Sequence, residues 1–157
     1  MADSAEFVFE SEEWQKILKK INKKWDDIKN RREFGGIIST SVYKDILSHF
    51  DDERGPEGKW VKWSDVYTDH LKKIGRAGNK KLQFSGKLRQ SFTPSSWRPE
   101  SDGILFFNKA KTKSGYDYAR GHDEGGGKLP QRSFMWLSSK GLSSIIEQTQ
   151  KWLTEDL

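Results

Sequence analysis

Tyr118-Ala119-Arg120-Gly121-His122-Asp123-Glu124-Gly125-Gly126-Gly127-Lys128-Leu129-Pro130-Gln131-Arg132-Ser133-Phe134-Met135-Trp136-Leu137-Ser138 is the stretch on which the reading of this chain turns. It places a glycine run, one histidine and a Leu-Pro pair ahead of bulky apolar residues. Gly and Pro punctuate regular structure, so the stretch predicts a shaped docking loop with an extended approach at Pro130. Ser138 is an N-cap candidate for a helix at the end of the chain. Leu142, Ile145, Ile146, Thr149, Trp152 and Leu153 recur at helical spacing and predict that this closing helix is amphipathic.

Upstream, the pattern is extended. Ser91–Trp97 and Gly103–Asn108 read as strand candidates joined by a turn around Pro99–Gly103, where Asp102-Gly103 is a hairpin signal. Residues 109–117 and 76–81 are polar or basic loops, expected to be mobile. Ser85 opens a short helical turn with Leu88 inward. Ser64 is expected to cap a short helix through Val66, Tyr67, Leu71 and Ile74 that ends at Gly75, and Asp51–Gly58 reads as a loop. A helix is predicted over Ser11–Arg31, with Trp14, Ile17, Leu18, Ile21, Trp25 and Ile28 on one stripe and Ser11 as its cap. That stripe can pack into the core or present a docking face. Gly35-Gly36 is expected to separate it from a second helix ending at Phe50. The order of helices, hairpin and helix predicts a single α+β domain over 1–157: N-terminal amphipathic helices, a small antiparallel sheet built around a hairpin, and a C-terminal amphipathic helix. Residues 1–10 are expected to form a flexible segment.

The 157 residues suit one domain. Only 33% are apolar, but 13% are aromatic, seven of them tryptophan, which predicts an aromatic-rich core under a charged surface. The net charge of +5 suits an anionic partner without requiring one. Absence of cysteine excludes disulfides, a thiolate nucleophile and cysteine-held zinc. The acidic start, Met1–Glu13, has no apolar signal region, and no run is long enough to span a bilayer, so a soluble protein made inside the cell is expected. His49, His70 and His122 are dispersed, with no paired spacing for a metal. There is no nucleophile-elbow motif, and Gly125–Gly127 leads into Lys-Leu-Pro rather than a phosphate-loop Gly-Lys-Ser/Thr. No catalytic, cofactor or metal site is therefore expected, and the chain is read as no enzyme. His122 can be a proton donor in a cleft or a structural residue. Lys72, Lys73, Arg76, Lys80 and Lys81, with Lys87 and Arg89 beyond, can face DNA phosphates, or face water or an acidic neighbour.

Three blocks carry a family likeness. They are Phe50 with Gly55-Pro56-x-Gly58-Lys59-Trp60-x-x-Trp63-Ser64, then Leu82–Ser91 with its Ser85-Gly86-x-Leu88-Arg89-x-Ser91 core, then Tyr118-Ala119-x-x-His122-x-x-Gly125-Gly126 with Leu129-Pro130-x-Arg132-x-Phe134-x-x-Leu137-Ser138. In these the chain resembles the phage virion morphogenesis proteins, the tail completion or head–tail joining proteins of Mu-like phages and prophages. The likeness covers about Phe50–Leu153. Trp63 stands where the family has a leucine-like residue, Gln83-Phe84 replaces an acidic pair, and Asp123-Glu124 makes the histidine loop more acidic.

The resemblance implies a non-enzymatic structural role at the neck or the head-proximal end of the tail. It implies assembly in the host bacterial cytoplasm and then residence in the virion. Implied partners are a connector or adaptor, a tail terminator or tail tube, and copies of itself in a ring, six-fold rather than twelve-fold. Non-specific contact with passing DNA is implied, and no membrane. Tyr118, His122, Pro130, Arg132, Phe134 and Trp136 are the candidate interface residues. Arg132 is expected to hold a carboxylate through two hydrogen bonds, and Phe134 to be an anchor or a core plug. The alternative is a small basic nucleic-acid-binding module using residues 72–89.

Overall fold

Two long helices open the fold. In the computed structural model, which describes residues 12–155 apart from 102 and 109, α1 spans Glu12–Asn30 and α2 spans Arg32–Asp52. The expected cap Ser11 and the expected flexible segment 1–10 lie outside the described residues, as does the side chain of Trp14. The break between the helices falls at Arg31, which takes a left-handed φ of 55°, and not at Gly35-Gly36 as the glycine pair suggests. Both glycines are inside α2. A Cβ on Gly35 would lie 2.3 Å from Cζ3 of Trp97, so this glycine exists to let a tryptophan ring lie on the helix. Packing overrides the usual helix-breaking cost of glycine.

α1 does not bury its apolar stripe. Ile17, Leu18 and Ile28 are half-buried, Ile21 is exposed, and Trp25 is 58% exposed. Core packing of this stripe, one of its two readings, is therefore incomplete. α2 supplies the core through Val42, Ile46 and Phe50.

The Asp51–Gly58 region is not a plain loop. Asp51 and Asp52 complete α2, and Glu53 turns left-handed at φ 50°, its N–H donating to the His49 carbonyl. A small antiparallel hairpin comes next, β1 (Arg54–Gly55) with β2 (Gly58–Lys59). It leads to α3 (Asp65–Lys73), capped by Ser64, whose hydroxyl accepts from Tyr67 N. Of its apolar residues Leu71 is buried, while Val66, Tyr67 and Ile74 are exposed. α4 (Lys87–Gln90) is a single turn that buries Leu88.

The second hairpin pairs β3 (Trp97–Pro99) with β4 (Ile104–Phe106), Trp97 opposite Phe106. It is shorter than expected, because Thr93–Ser96 forms a turn with side-chain hydrogen bonds of its own. Tyr118–Glu124 folds as a short helix, α5, capped by Asp117. The expected loop character starts only at Gly125. α6 (Ser139–Thr154) closes the fold antiparallel along α2 and is capped by Ser138 as its sequence indicates. The architecture is α+β, with two separate two-stranded sheets rather than one.

The core gathers Val42, Ile46, Phe50, Trp60, Leu88, Phe92, Ala110, Ala119 and Phe134. Phe50 stands 5.0 Å from Phe134 and edge-on to Trp60 at 5.8 Å. Burying each such ring contributes about 1.5–3 kcal/mol. One carboxylate ties the last helix to this core. Buried Asp45 on α2 accepts from Ser138 N at 2.8 Å and from the Ser138 hydroxyl. Gly141, one turn on, is the residue that lets α6 approach, since a Cβ there would meet the Asp45 carboxylate.

Two substitutions test this packing. Gly35→Ala should destabilise the fold by about 1–3 kcal/mol, against the gain of up to about 1 kcal/mol that alanine gives in an unconstrained helix. Urea unfolding reads the sign. Asp45→Ala leaves the half-buried Ser138 N–H and hydroxyl without their acceptor and should cost about 1–3 kcal/mol by the same measurement. A loss below about 0.5 kcal/mol would remove Asp45 as the anchor of α6.

Candidate functional site

A cleft of about 1030 Å³ opens among three segments, none of them in α6. The end of β2 and the start of α3 form one wall, through Lys62, Trp63, Ser64 and Tyr67. Residues 79–88 form the second. The third comes from Lys111–Lys113, Tyr118, His122 and Gly127–Arg132. Its rim carries Lys62, Lys80, Lys87, Lys111, Lys113 and Lys128, and its walls carry Trp63, Tyr67, Phe84 and Tyr118. Among the described residues, no Asp or Glu lines it.

This geometry sorts the sequence-derived interface candidates. Tyr118, His122, Pro130 and Arg132 all line the cleft. Phe134 does not reach it. It is fully buried, so of its two expected roles the core plug is the one found. Trp136 does not line this cleft; it stacks on His49 with ring centres 4.1 Å apart and lines a separate apolar groove of about 560 Å³ with residues of α1, α2, the second hairpin and α6.

Arg132 corrects an expectation. It is 6% exposed, and its Nε and Nη2 donate to the Val61 carbonyl at 3.3 and 3.2 Å rather than to a carboxylate. The reason is local: Val61 comes after β2 with an unpaired carbonyl, and a guanidinium satisfies it. Burial lowers the Arg132 pKa, with the charges of Glu53 and Tyr67 acting the other way.

The expected DNA-facing group is largely engaged within the chain. Lys72 pairs with Asp69 at 3.1 Å on the surface of α3, where Lys73 is exposed beside it. Arg76 donates to the Phe84 carbonyl at 2.7 Å and lies over the Phe84 ring. Lys80 donates to the Asp51 carbonyl, and Lys81 pairs with Glu53 at 3.2 Å and lies over Trp63. Burial alone would raise the Glu53 pKa, but the backbone and side-chain hydrogen bonds from Lys81 outweigh it and the net shift is downward. Loop 76–81, read as mobile, is thus held at several points. Lys62, Lys111, Lys113 and Lys128 are not recognisable as a group in the sequence. Lys62, the Lys111 and Lys113 pair, and Lys128 lie in three separate loops, and no spacing connects the three.

His122 sits where α5 meets this cleft. Its carbonyl accepts from Arg132 N at 2.8 Å, and its Nδ1 is buried without a hydrogen-bond partner. Its pKa is lowered, first by burial and then by the Arg132 charge. A ring pushed toward its neutral form beside a cationic neighbour fits a structural role. Among the described residues, no group of three or more His, Asp or Glu could hold a metal. Ser138, Asp45 and His49 do meet, but as a helix cap. The carboxylate takes the serine hydroxyl, and His49 Nδ1 donates to the Phe134 carbonyl. No imidazole nitrogen is placed to take the serine proton.

No family model, curated protein or solved structure matches the chain.

The His122 environment has a pH signature. Its folded pKa lies below the ordinary 6.5, so as pH falls the unfolded chain takes up the proton first. Its contribution to stability is complete above about 6.5 and is lost as pH falls from there through the folded value. Glu53, also lowered, contributes above its unfolded value of 4.5 and is lost as pH falls through its folded one. Thermal melts taken on either side of the ordinary histidine pKa should show a lower Tm at the acid pH, and a smaller drop in His122→Gln. Equal drops would show that His122 is not the group responsible.

Proposed function

We propose that this chain is a non-enzymatic phage assembly protein that completes the tail or joins head and tail at the neck, working as a ring of identical copies. The observation that carries this reading is where the three resemblance blocks go. They are separated in sequence, yet they meet around one core and wall one cleft. Trp60 of the first block donates to the Ser133 carbonyl of the third at 2.9 Å. Gln83 of the second donates to the Phe50 carbonyl at 2.8 Å. Leu88 of the second and Ala119 and Phe134 of the third pack in the same cluster as Phe50 and Trp60. The likeness therefore traces a joint three-dimensional surface rather than scattered turns.

The surface fits docking better than chemistry. Among the described residues the cleft has no carboxylate to act as a base, and its histidine is pushed by burial toward the neutral form. Apolar side chains stand out on α1 and α6, including Trp25, Leu142 and Ile146, as they would on a subunit made to be covered. No helix among the described residues is long and apolar enough to cross a membrane. In this reading the protein is made in the host cytoplasm and resides at the neck or the head-proximal end of the tail. Its neighbours are a connector or adaptor on one side and a tail terminator or tail tube on the other. Lys73, exposed on α3, is then a cation available to passing DNA.

The test is genetic. A stop codon at Lys16 in the phage or prophage that encodes the chain should leave filled heads and unjoined or unfinished tails, counted by negative-stain electron microscopy. Supplying the intact chain in trans should restore joined particles. Joined particles at normal yield without the chain would refute the proposal.

A further inference from the structure

The cleft gathers lysines from several loops into one concavity, with no Asp or Glu among the described residues that line it. Elsewhere the surface intersperses signs, as in Lys72 with Asp69, Arg89 with Asp51, Arg98 with Glu100, and Arg120 with Glu124. Around the cleft, Lys62, Lys87, Lys111, Lys113 and Lys128 have no salt bridge among the described residues. A concave wall lined by one sign of charge focuses its field on an anionic ligand. Apolar surface lies between these lysines. Tyr67 and Phe84 are exposed there, with Trp63 half-buried beside them. The matching ligand carries carboxylates or phosphates together with aromatic groups.

The chain itself contains such a ligand. Residues 1–11 carry Asp3, Glu6 and Glu10, no Lys or Arg, and the apolar run Phe7-Val8-Phe9, with Glu12 and Glu13 directly after. In an extended bound form, alternate residues face opposite ways, which sets Glu6 and Glu10 on one side and Phe7 and Phe9 on the other. That is the division the cleft presents, lysine rim against aromatic wall. We propose that the cleft receives the acidic N-terminal segment of a second copy of this chain. Segment and cleft are different surfaces, so the contact is heterologous and repeats from copy to copy, closing into a ring when the rotation allows. A phosphodiester strand is the other polyanion the lysines could attract. The segment is favoured because it supplies both chemistries in one-to-one stoichiometry with the cleft.

The inference deepens the ring reading above, and its test needs neither heads nor tails, so its failure leaves the particle count unaffected. Two full-length variants are made, both at polar positions. One carries Asp3→Lys, Glu6→Lys and Glu10→Lys; the other carries Lys111→Glu, Lys113→Glu and Lys128→Glu. Circular dichroism checks that each folds. Sedimentation analysis should show the wild type self-associating at low salt and dissociating at high salt. Each variant alone should associate about 100-fold more weakly or worse. An equimolar mixture of the two should associate again, because an intact segment then meets an intact cleft. A wild type that stays monomeric overturns the proposal, whether its cleft is empty or closed by its own segment. So does a variant that self-associates like the wild type, or a mixture that stays monomeric. A labelled single-stranded oligonucleotide that binds the wild type and is lost with the lysine changes, while a synthetic 1–13 peptide fails to bind the aspartate–glutamate variant, would overturn it in favour of nucleic acid.

Discussion

An irregular segment crosses the centre of this molecule, and the rest of the structure is arranged to let it. Phe134 is fully buried beside Phe50, yet residues 131–137 belong to no helix or strand. Buried backbone groups without a ladder partner must find another or the fold loses the cost of each. Here side chains supply them. Asp123 accepts from Phe134 N at 2.7 Å and Met135 N at 2.8 Å. His49 donates to the Phe134 carbonyl at 2.9 Å. The Trp60 indole takes the Ser133 carbonyl, and Asp45 takes Ser138 N. The requirement explains why a histidine and an aspartate lie one turn apart on the buried face of α2, where apolar residues would otherwise be expected.

The same segment places its neighbours on either side. Upstream, Asp123 belongs to α5, so satisfying Phe134 also fixes that short helix and carries His122 and Tyr118 to the cleft wall. Downstream, Asp45 and Ser138 start α6, and Gly141 lets it settle onto α2. Arg132, two residues before Phe134, reaches back to Val61 and holds the chain after β2 in place as the facing wall. The cleft is thus a consequence of how the core is closed.

What could be read from the sequence was local. Ser64 and Ser138 name their helices because a cap needs a hydroxyl and a few N–H groups just beyond it. The turn before Gly103 and the spacing of Leu142, Ile145 and Ile146 are equally short-range signals, and they gave the α+β class. Gly35 misled because its role is set by Trp97, about sixty residues away in the chain. Arg132 misled because its acceptor is a backbone carbonyl, which no side-chain pattern reveals. The first third of the 118–138 stretch is helix rather than loop. Asp117 there accepts from Arg120 N, and that capping outweighs the Gly121 that suggested a loop. The cleft lysines were invisible as a set because the loops that carry them converge only in the folded chain.

Stability alone does not account for that convergence. Like charges gathered in a concavity repel and make the compact state less favourable, and the remedy of placing a carboxylate among them is used at several other points on this surface. Carboxylates are available nearby. Glu53 is engaged by Lys81, Asp123 by backbone N–H groups, and Glu124 by Arg120. None of them lines the cleft beside the lysines that lack a partner. Sites where a sequence declines a local stabilisation it uses elsewhere are the sites where another requirement acts. In the reading proposed above, that requirement is an open, positively charged surface with aromatic walls, which a ligand from outside the folded core would cover.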